Sequence, residues 1–111
     1  MRRDNALLKD ILDAINAVEA FVGGKDKKEF FKSDLLQSAV MRKLEIIGEA
    51  VKNLSPELKK SYPHVPWKDI AGMRDKLIHG YFGINIERVW ETVKQALPEL
   101  KENVIMILKE L

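Results

Sequence analysis

The fold class this sequence predicts is all-α, and three observations carry it. Apolar residues recur at spacings of three and four along nearly the whole chain, the mark of a helix with one buried face. The breaks between these runs carry helix-boundary chemistry: Ser, Asp or Asn before a run, Pro at its first positions, Gly after its end. No segment alternates polar and apolar residues between turn residues, so no strand is expected. At 111 residues the chain has the size of one domain, residues 1–111. The expected architecture is an up-down bundle of four to five helices with short antiparallel connections.

Each element has a local reason. The first helix is expected from about Arg3 to Val22, with Leu8, Ile11, Leu12, Ile15, Val18 and Val22 on one face, and Gly23-Gly24 stops it. Asp26 and Glu29 form a capping-box pair that opens a short turn carrying Phe30 and Phe31. The clearest helix spans about Asp34 to Leu54: Leu36, Val40, Leu44, Ile47, Val51 and Leu54 make a narrow stripe of coiled-coil type. Gly48 inside that helix costs about 1 kcal/mol relative to Ala, and close approach of another helix is a reason to accept it. Ser55-Pro56-Glu57 caps and opens a short helix that Pro63 closes. A further helix runs from about Trp67 to His79 and ends at Gly80. Asn85 caps another, about Ile86 to Leu97, with Val89, Trp90, Val93 and Leu97 inward. Pro98 marks a kink or a fresh start, and Leu100, Val104, Ile107, Leu108 and Leu111 carry the pattern to the last residue.

Composition removes several function classes. Zero cysteines exclude a disulfide framework, a thiolate nucleophile and a Cys-ligated zinc. No apolar run approaches the roughly 18 residues of a membrane span, and Met1-Arg-Arg-Asp-Asn opens a charged amphipathic stretch unlike a signal peptide, so the expected compartment is the cytoplasm. Lys+Arg 19 against Asp+Glu 17 gives a net charge of +2, too weak by itself to argue for nucleic acid. A chain this short buries only about 60–65% of its unfolded surface, which makes oligomerisation a live expectation.

Without cysteine, proton transfer near neutral pH falls to His64 and His79. His64 lies in the proline-bracketed turn Ser61-Tyr-Pro-His-Val-Pro66 and reads as a surface histidine. Two lone histidines without acidic i,i+4 partners make a poor metal site, so no metal and no cofactor are expected. His79 falls in the last turn of its helix, where the negative end of the helix dipole favours an imidazolium. Arg74, about one turn earlier, is long enough to reach a ligand held near His79, and a guanidinium matches phosphate oxygens bidentately. Arg, His and Tyr81 together suit a phosphodiester, with His as acid or base and Arg on the developing phosphorane charge. On spacing alone, a C-capping histidine, a surface arginine and a packed tyrosine remain the simpler reading. Lys25-Asp-Lys-Lys28 reads as a solvated turn, and Trp67 and Trp90 as core rather than stacking platforms. Residues 52–76 hold six Lys/Arg against three Asp/Glu, a bias compatible with RNA but not specific for it.

Arg74-x-x-x-x-His79-x-Tyr81 resembles the R-x(4)-H-x-Y signature of the HepT-like toxins, within the HEPN superfamily of helical bundles. Leu44-Glu-Ile-Ile-Gly-Glu-Ala50, Ile70-Ala-Gly-Met-Arg-Asp-Lys-Leu-Ile-His-Gly-Tyr-Phe-Gly83, Val89-Trp90 and Leu97-Pro98 resemble family blocks in the family's order, so the likeness covers essentially the whole chain. It implies a HEPN-like homodimer that acts as a metal-independent endoribonuclease and as the toxin of a toxin–antitoxin module. The implied antitoxin is an MNT-type nucleotidyltransferase that silences the toxin by transferring AMP to Tyr81. By position, the resemblance makes Arg74 and His79 the catalytic pair, Asp75 the polar residue after the arginine, and Glu49 a supporting residue of the cleft. Ser38 and Lys43 depart from an expected Asp and Asn in the central helix, and Asn85 from a usual Asp.

The two lines of reasoning meet at one chemical problem. Metal-free cleavage by 2′-hydroxyl attack works best with a base on one side and an acid on the other, and one chain supplies one well-placed histidine. A two-fold dimer would bring two Arg74/His79 pairs into one cleft and leave a 2′,3′-cyclic phosphate end. The competing reading is a non-catalytic HEPN module that binds nucleotide or RNA, or that serves as the substrate-binding partner of a nucleotidyltransferase.

Overall fold

Leu8, Ile11, Ala14, Ile15, Val18 and Val22 all lie buried along one face of α1 (Arg2–Val22), as their spacing requires. The computed structural model describes residues 2–79 and 85–111. Gly24 ends α1 at φ +75°, a left-handed conformation that favours glycine, while the Lys25 N–H donates to the Val22 carbonyl at 2.9 Å. The capping box forms as its spacing predicts. The Glu29 N–H donates to Asp26 Oδ1 at 2.8 Å, the Asp26 N–H donates to Glu29 Oε1 at 3.3 Å, and α2 (Lys27–Lys32) follows. Phe30 is fully buried, with its ring centroid 5.2 Å from that of Trp90.

Ser33 caps α3 (Asp34–Asn53), its Oγ accepting the Leu36 N–H at 3.0 Å. The predicted stripe from Leu36 to Leu54 is buried throughout. Ser55 Oγ accepts the Leu58 N–H at 3.2 Å and opens α4 (Pro56–Ser61). Trp67, nearly buried, begins α5 (Trp67–His79) and donates its indole N–H to the Tyr62 carbonyl at 2.9 Å. Asn85 caps α6 (Ile86–Glu91) by accepting the Arg88 N–H at 3.3 Å.

The sequence places one helix over about Ile86 to Leu97 with a kink or restart at Pro98. The chain instead runs from α6 through a π turn, Thr92–Ala96, directly into α7 (Leu97–Glu110). Pro98 explains the difference. Its ring nitrogen cannot donate to the Lys94 carbonyl, and in an ordinary α turn the ring would press on that carbonyl. The wider π turn relieves the clash, and the Leu97 N–H bonds back to the Thr92 carbonyl. The helix bends its hydrogen-bond pattern rather than stopping.

The described residues are all helix and connecting turn, as expected, but they form seven α-helices and not four or five. Four long rods do most of the packing: α1, α3, α5 and the continuous α6–π–α7, while α2 and α4 are short helices in the connections. Asp4 fixes one end. Its carboxylate is almost wholly buried and accepts the Ser55 N–H at 2.9 Å and the Ser55 hydroxyl at 2.6 Å, tying the start of α1 to the end of α3. Lys101 and Glu19, 2.7 Å apart, tie the start of α7 to the end of α1. At that same end Lys27 of α2 meets Glu87 of α6 at 2.6 Å. His79 ends α5 only six residues before Asn85, so chain length alone holds α5's C-terminus within about 20 Å of α6's cap.

Candidate functional site

Gly48 positions the candidate site. A Cβ there would stand 2.8 Å from Arg74 Cβ, 3.1 Å from the Arg74 nitrogen and 3.2 Å from the Ile70 carbonyl oxygen. Only glycine lets α3 and α5 approach this closely, as its place in the α3 stripe predicts. The close crossing brings Arg74 beside the next residue of α3, Glu49. The guanidinium Nε lies 2.6 Å from Glu49 Oε2, and Nη1 lies 3.3 Å from Asp75 Oδ1. Arg74 is half-buried, and Nη2 has no protein partner among the described residues.

Glu49 is itself held. Asn53, one turn on, donates its side-chain N–H₂ to the Glu49 carbonyl at 2.9 Å and to Glu49 Oε1 at 3.3 Å. The arrangement Asn53–Glu49–Arg74–Asp75 therefore runs from α3 to α5 as one polar chain. The ion pair with Glu49 and the Nη1–H donated to Asp75 keep the guanidinium at the α3–α5 crossing, and a guanidinium is the group that matches phosphate oxygens bidentately.

Arg74 closes one end of a groove of about 470 Å³ between α1 and α3. Four carboxylates line it, Asp10, Asp13, Glu45 and Glu49, against three basic side chains, Arg42, Lys43 and Arg74. Asp75 opens instead to a second groove of about 1090 Å³ between α5 and α6–α7, largely apolar, where Leu44, Ile70, Met73, Val89 and Leu97 contribute. The arginine thus stands on the ridge between two grooves.

The residues singled out from sequence divide accordingly. Arg74, Asp75 and Glu49 come together. His79 is the last residue of α5, but its side chain lies outside the described residues, as does Tyr81 altogether. Of the departures, Ser38 is exposed, Lys43 is half-buried at the α1–α3 groove, and Asn85 serves as the α6 cap. His64 is exposed as expected, with Nε2 3.2 Å from Asn103 Oδ1. Trp67 is buried and Trp90 half-buried against Phe30, which matches their reading as core residues. Sequence reasoning missed Asn53, whose signal is its i,i+4 spacing from Glu49. It also missed Asp10 and Asp13, which look like ordinary solvated acids on α1. Among the described residues no group of three or more His, Asp or Glu side chains is placed to hold a metal ion, and no helix is long and apolar enough to cross a membrane.

The described residues are all-helical, with Arg74 ion-paired to Glu49 five residues before the histidine that ends α5. The family model described as "Ribonuclease HepT-like" matches residues 11–107, and the chain belongs to that family. Among curated proteins it is 46% identical over 94 residues to "Probable ribonuclease HepT" of Thermococcus cleftensis, covering 85% of this chain and 86% of the relative. It is 46% identical over 110 residues to "Putative RNase TTE0752" of Caldanaerobacter subterraneus, covering 99% and 98%. A further relative, "Gamma-glutamylcyclotransferase and putative RNase MJ0434" of Methanocaldococcus jannaschii, is 46% identical over 112 residues; the match takes in all of this chain but spans about half the relative's length. No solved structure gives a significant match.

Proposed function

We propose that this chain is a metal-independent endoribonuclease that works as a homodimer, with Arg74 and His79 as its catalytic pair. The observation that carries this reading is the pairing of Arg74 at the α3–α5 crossing: Glu49 Oε2 lies 2.6 Å from Nε, Asp75 Oδ1 accepts from Nη1 at 3.3 Å, and the two hold the guanidinium on the helix that His79 ends. In the proposed reaction, His79 of one subunit takes the proton from the ribose 2′-hydroxyl. The 2′-oxygen then attacks phosphorus, the bond from phosphorus to the 5′-oxygen breaks, and the partner subunit's His79 protonates the leaving oxygen. The products are a 2′,3′-cyclic phosphate and a 5′-hydroxyl. The two Arg74 side chains carry the charge that gathers on the non-bridging oxygens.

The proposed biological role is that of a toxin neutralised by an MNT-type nucleotidyltransferase antitoxin that adds AMP to Tyr81. Two residues from His79, an adenylyl group places bulk and negative charge where the RNA phosphate has to sit. Support for this role is the family membership together with the R-x(4)-H-x-Y pattern.

The deciding experiment incubates RNA with the protein in EDTA. Wild type is expected to cleave and leave cyclic phosphate ends. His79→Ala is expected to lose on the order of 10²–10⁴ in rate and Arg74→Ala about 10²–10³, with both variants folded by circular dichroism. Cleavage unchanged in His79→Ala would remove the catalytic assignment and favour the binding-module reading. Co-expression with the nucleotidyltransferase, followed by intact mass, is expected to show AMP added to wild type and none to Tyr81→Phe.

A further inference from the structure

The groove beside Arg74 is poorly suited to gather a polyanion. Its carboxylates outnumber its basic groups, one of them, Glu49, lies directly on the arginine, and Asp75 of the neighbouring groove contacts it as well. Affinity for an RNA strand therefore has to come from elsewhere on the molecule. A lysine-rich segment outside both grooves is α2. Residues 25–32 hold four lysines and two acids, and both acids, Asp26 and Glu29, are occupied in the capping box. Lys27 pairs with Glu87, whereas Lys25, Lys28 and Lys32 are exposed with no carboxylate partner among the described residues.

These lysines flank a line of aromatic rings. The Phe31 ring, 42% exposed, stands 6.4 Å edge-on from Phe30. Phe30 in turn packs on Trp90 at 5.2 Å. An ammonium closes each end of the line: Lys27 Nζ lies 5.6 Å from the centre of the Phe31 ring, and Lys94 Nζ lies 4.7 Å from that of Trp90. Phe30 is the buried footing, and Phe31 is the ring that solvent reaches. An exposed ring on a lysine-rich helix is the pairing that holds single-stranded nucleic acid: a base stacks on the ring and the flanking phosphates meet the ammonium groups.

We propose that α2, with the Trp90–Lys94 edge of the π turn, is a single-stranded RNA subsite outside the catalytic pair. In it a base stacks on Phe31, and the neighbouring phosphates are taken by Lys28, Lys32 and Lys94. The inference rests on the ribonuclease reading for its biological meaning. It explains how a chain of net charge +2 with an acid-bordered arginine collects RNA: lysines without a carboxylate partner among the described residues share α2 with one exposed ring, where α2 meets α3 and α6.

The test measures fluorescence anisotropy with a labelled single-stranded RNA of about 12 nucleotides, a length within the span of such sites. Its 2′-O-methyl groups block attack by the 2′-oxygen. Phe31→Ala is expected to weaken binding about tenfold. Lys28→Ala/Lys32→Ala is expected to lower the slope of log affinity against log salt by roughly 1.4, the value for two phosphate contacts on a single strand. Cleavage of a dinucleotide, which leaves no flanking nucleotide to stack on Phe31, is expected to stay at the wild-type rate in both variants. Wild-type protein that binds the long probe but cleaves no RNA would overturn the ribonuclease reading and leave the subsite standing. Wild-type protein that cleaves, with both variants binding within about twofold of it, would overturn the subsite alone, as would a wild type that does not bind the probe. Sedimentation of Phe31→Ala closes the remaining route. If that variant turns a dimer into a monomer and RNA affinity does not change, the patch joins two copies of this chain, and the proposal falls.

Discussion

Arg74 has two carboxylates for company, and they pull its chemistry in opposite directions. Glu49 and Asp75 keep the guanidinium in place, yet their charge opposes the phosphate it would bind. This trade-off makes Glu49 separable from a merely structural residue. Under the proposed mechanism Glu49→Gln keeps the side chain's size but loosens the Nε clamp, so kcat is expected to fall about tenfold through misorientation. KM is expected to stay level or drop, because one negative charge has left the phosphate's path. Initial-rate kinetics on RNA check the split, and a rise in KM with kcat unchanged would count against orientation. Asn53→Ala should move kcat the same way by a smaller factor, since Asn53 acts only through Glu49. Glu49, Arg74 and Asp75 were named from the sequence and the family resemblance, but neither their contact nor Asn53 was visible there. Arg74 and Glu49 sit on different helices, and a pattern read along one helix cannot show which faces will meet.

At the scale of helices, what was legible was local chemistry. The capping box at Asp26, the caps at Ser55 and Asn85 and the buried stripe of α3 each arise within a few residues, so their spacing was enough. The π turn was not legible, because Pro98 announces a disturbance without saying whether the chain breaks, kinks or widens. Asp4 was missed for a different reason: a first-turn acid normally serves its own helix, and here it serves Ser55. Gly48 stood between these cases, since its cost inside a helix pointed to a close neighbour but not to which helix. The α3–α5 crossing can be tested there. Gly48→Ala gains about 1 kcal/mol of helix propensity but forces its methyl against the backbone and Cβ of Arg74. The net effect expected in urea unfolding is a loss of about 1–2 kcal/mol, with a larger proportional loss of cleavage than of stability.

The whole molecule is fastened by contacts between distant segments at its two ends. Asp4 with Ser55 joins α1 to α3–α4, and Lys101 with Glu19 joins α7 to α1. Tyr62, in the α4–α5 turn, neighbours Glu110 near the end of α7, and its phenol is pushed above the ordinary value of 10.0 by desolvation first and by the Glu110 carboxylate second. A raised folded value means that the fold favours the neutral phenol. The stabilisation is therefore complete below pH 10 and is lost as pH climbs through the raised value. Thermal unfolding across alkaline pH is expected to show this decline in wild type and a shallower one in Tyr62→Phe, while tyrosinate absorbance assigns the late-titrating phenol. The π turn has a consequence of the same global kind. It works as a phase shifter: one residue more than an α turn needs rotates everything upstream by about 100° relative to everything downstream. Val89 and Val93 on one side of the turn and Leu97 and Leu100 on the other are all buried. Deleting a single residue between 92 and 96 would swing α6, with Trp90 and its contact to α2, off the bundle while leaving α7 in place. Length variation that most surface connections absorb is thus forbidden at this one point inside a helix.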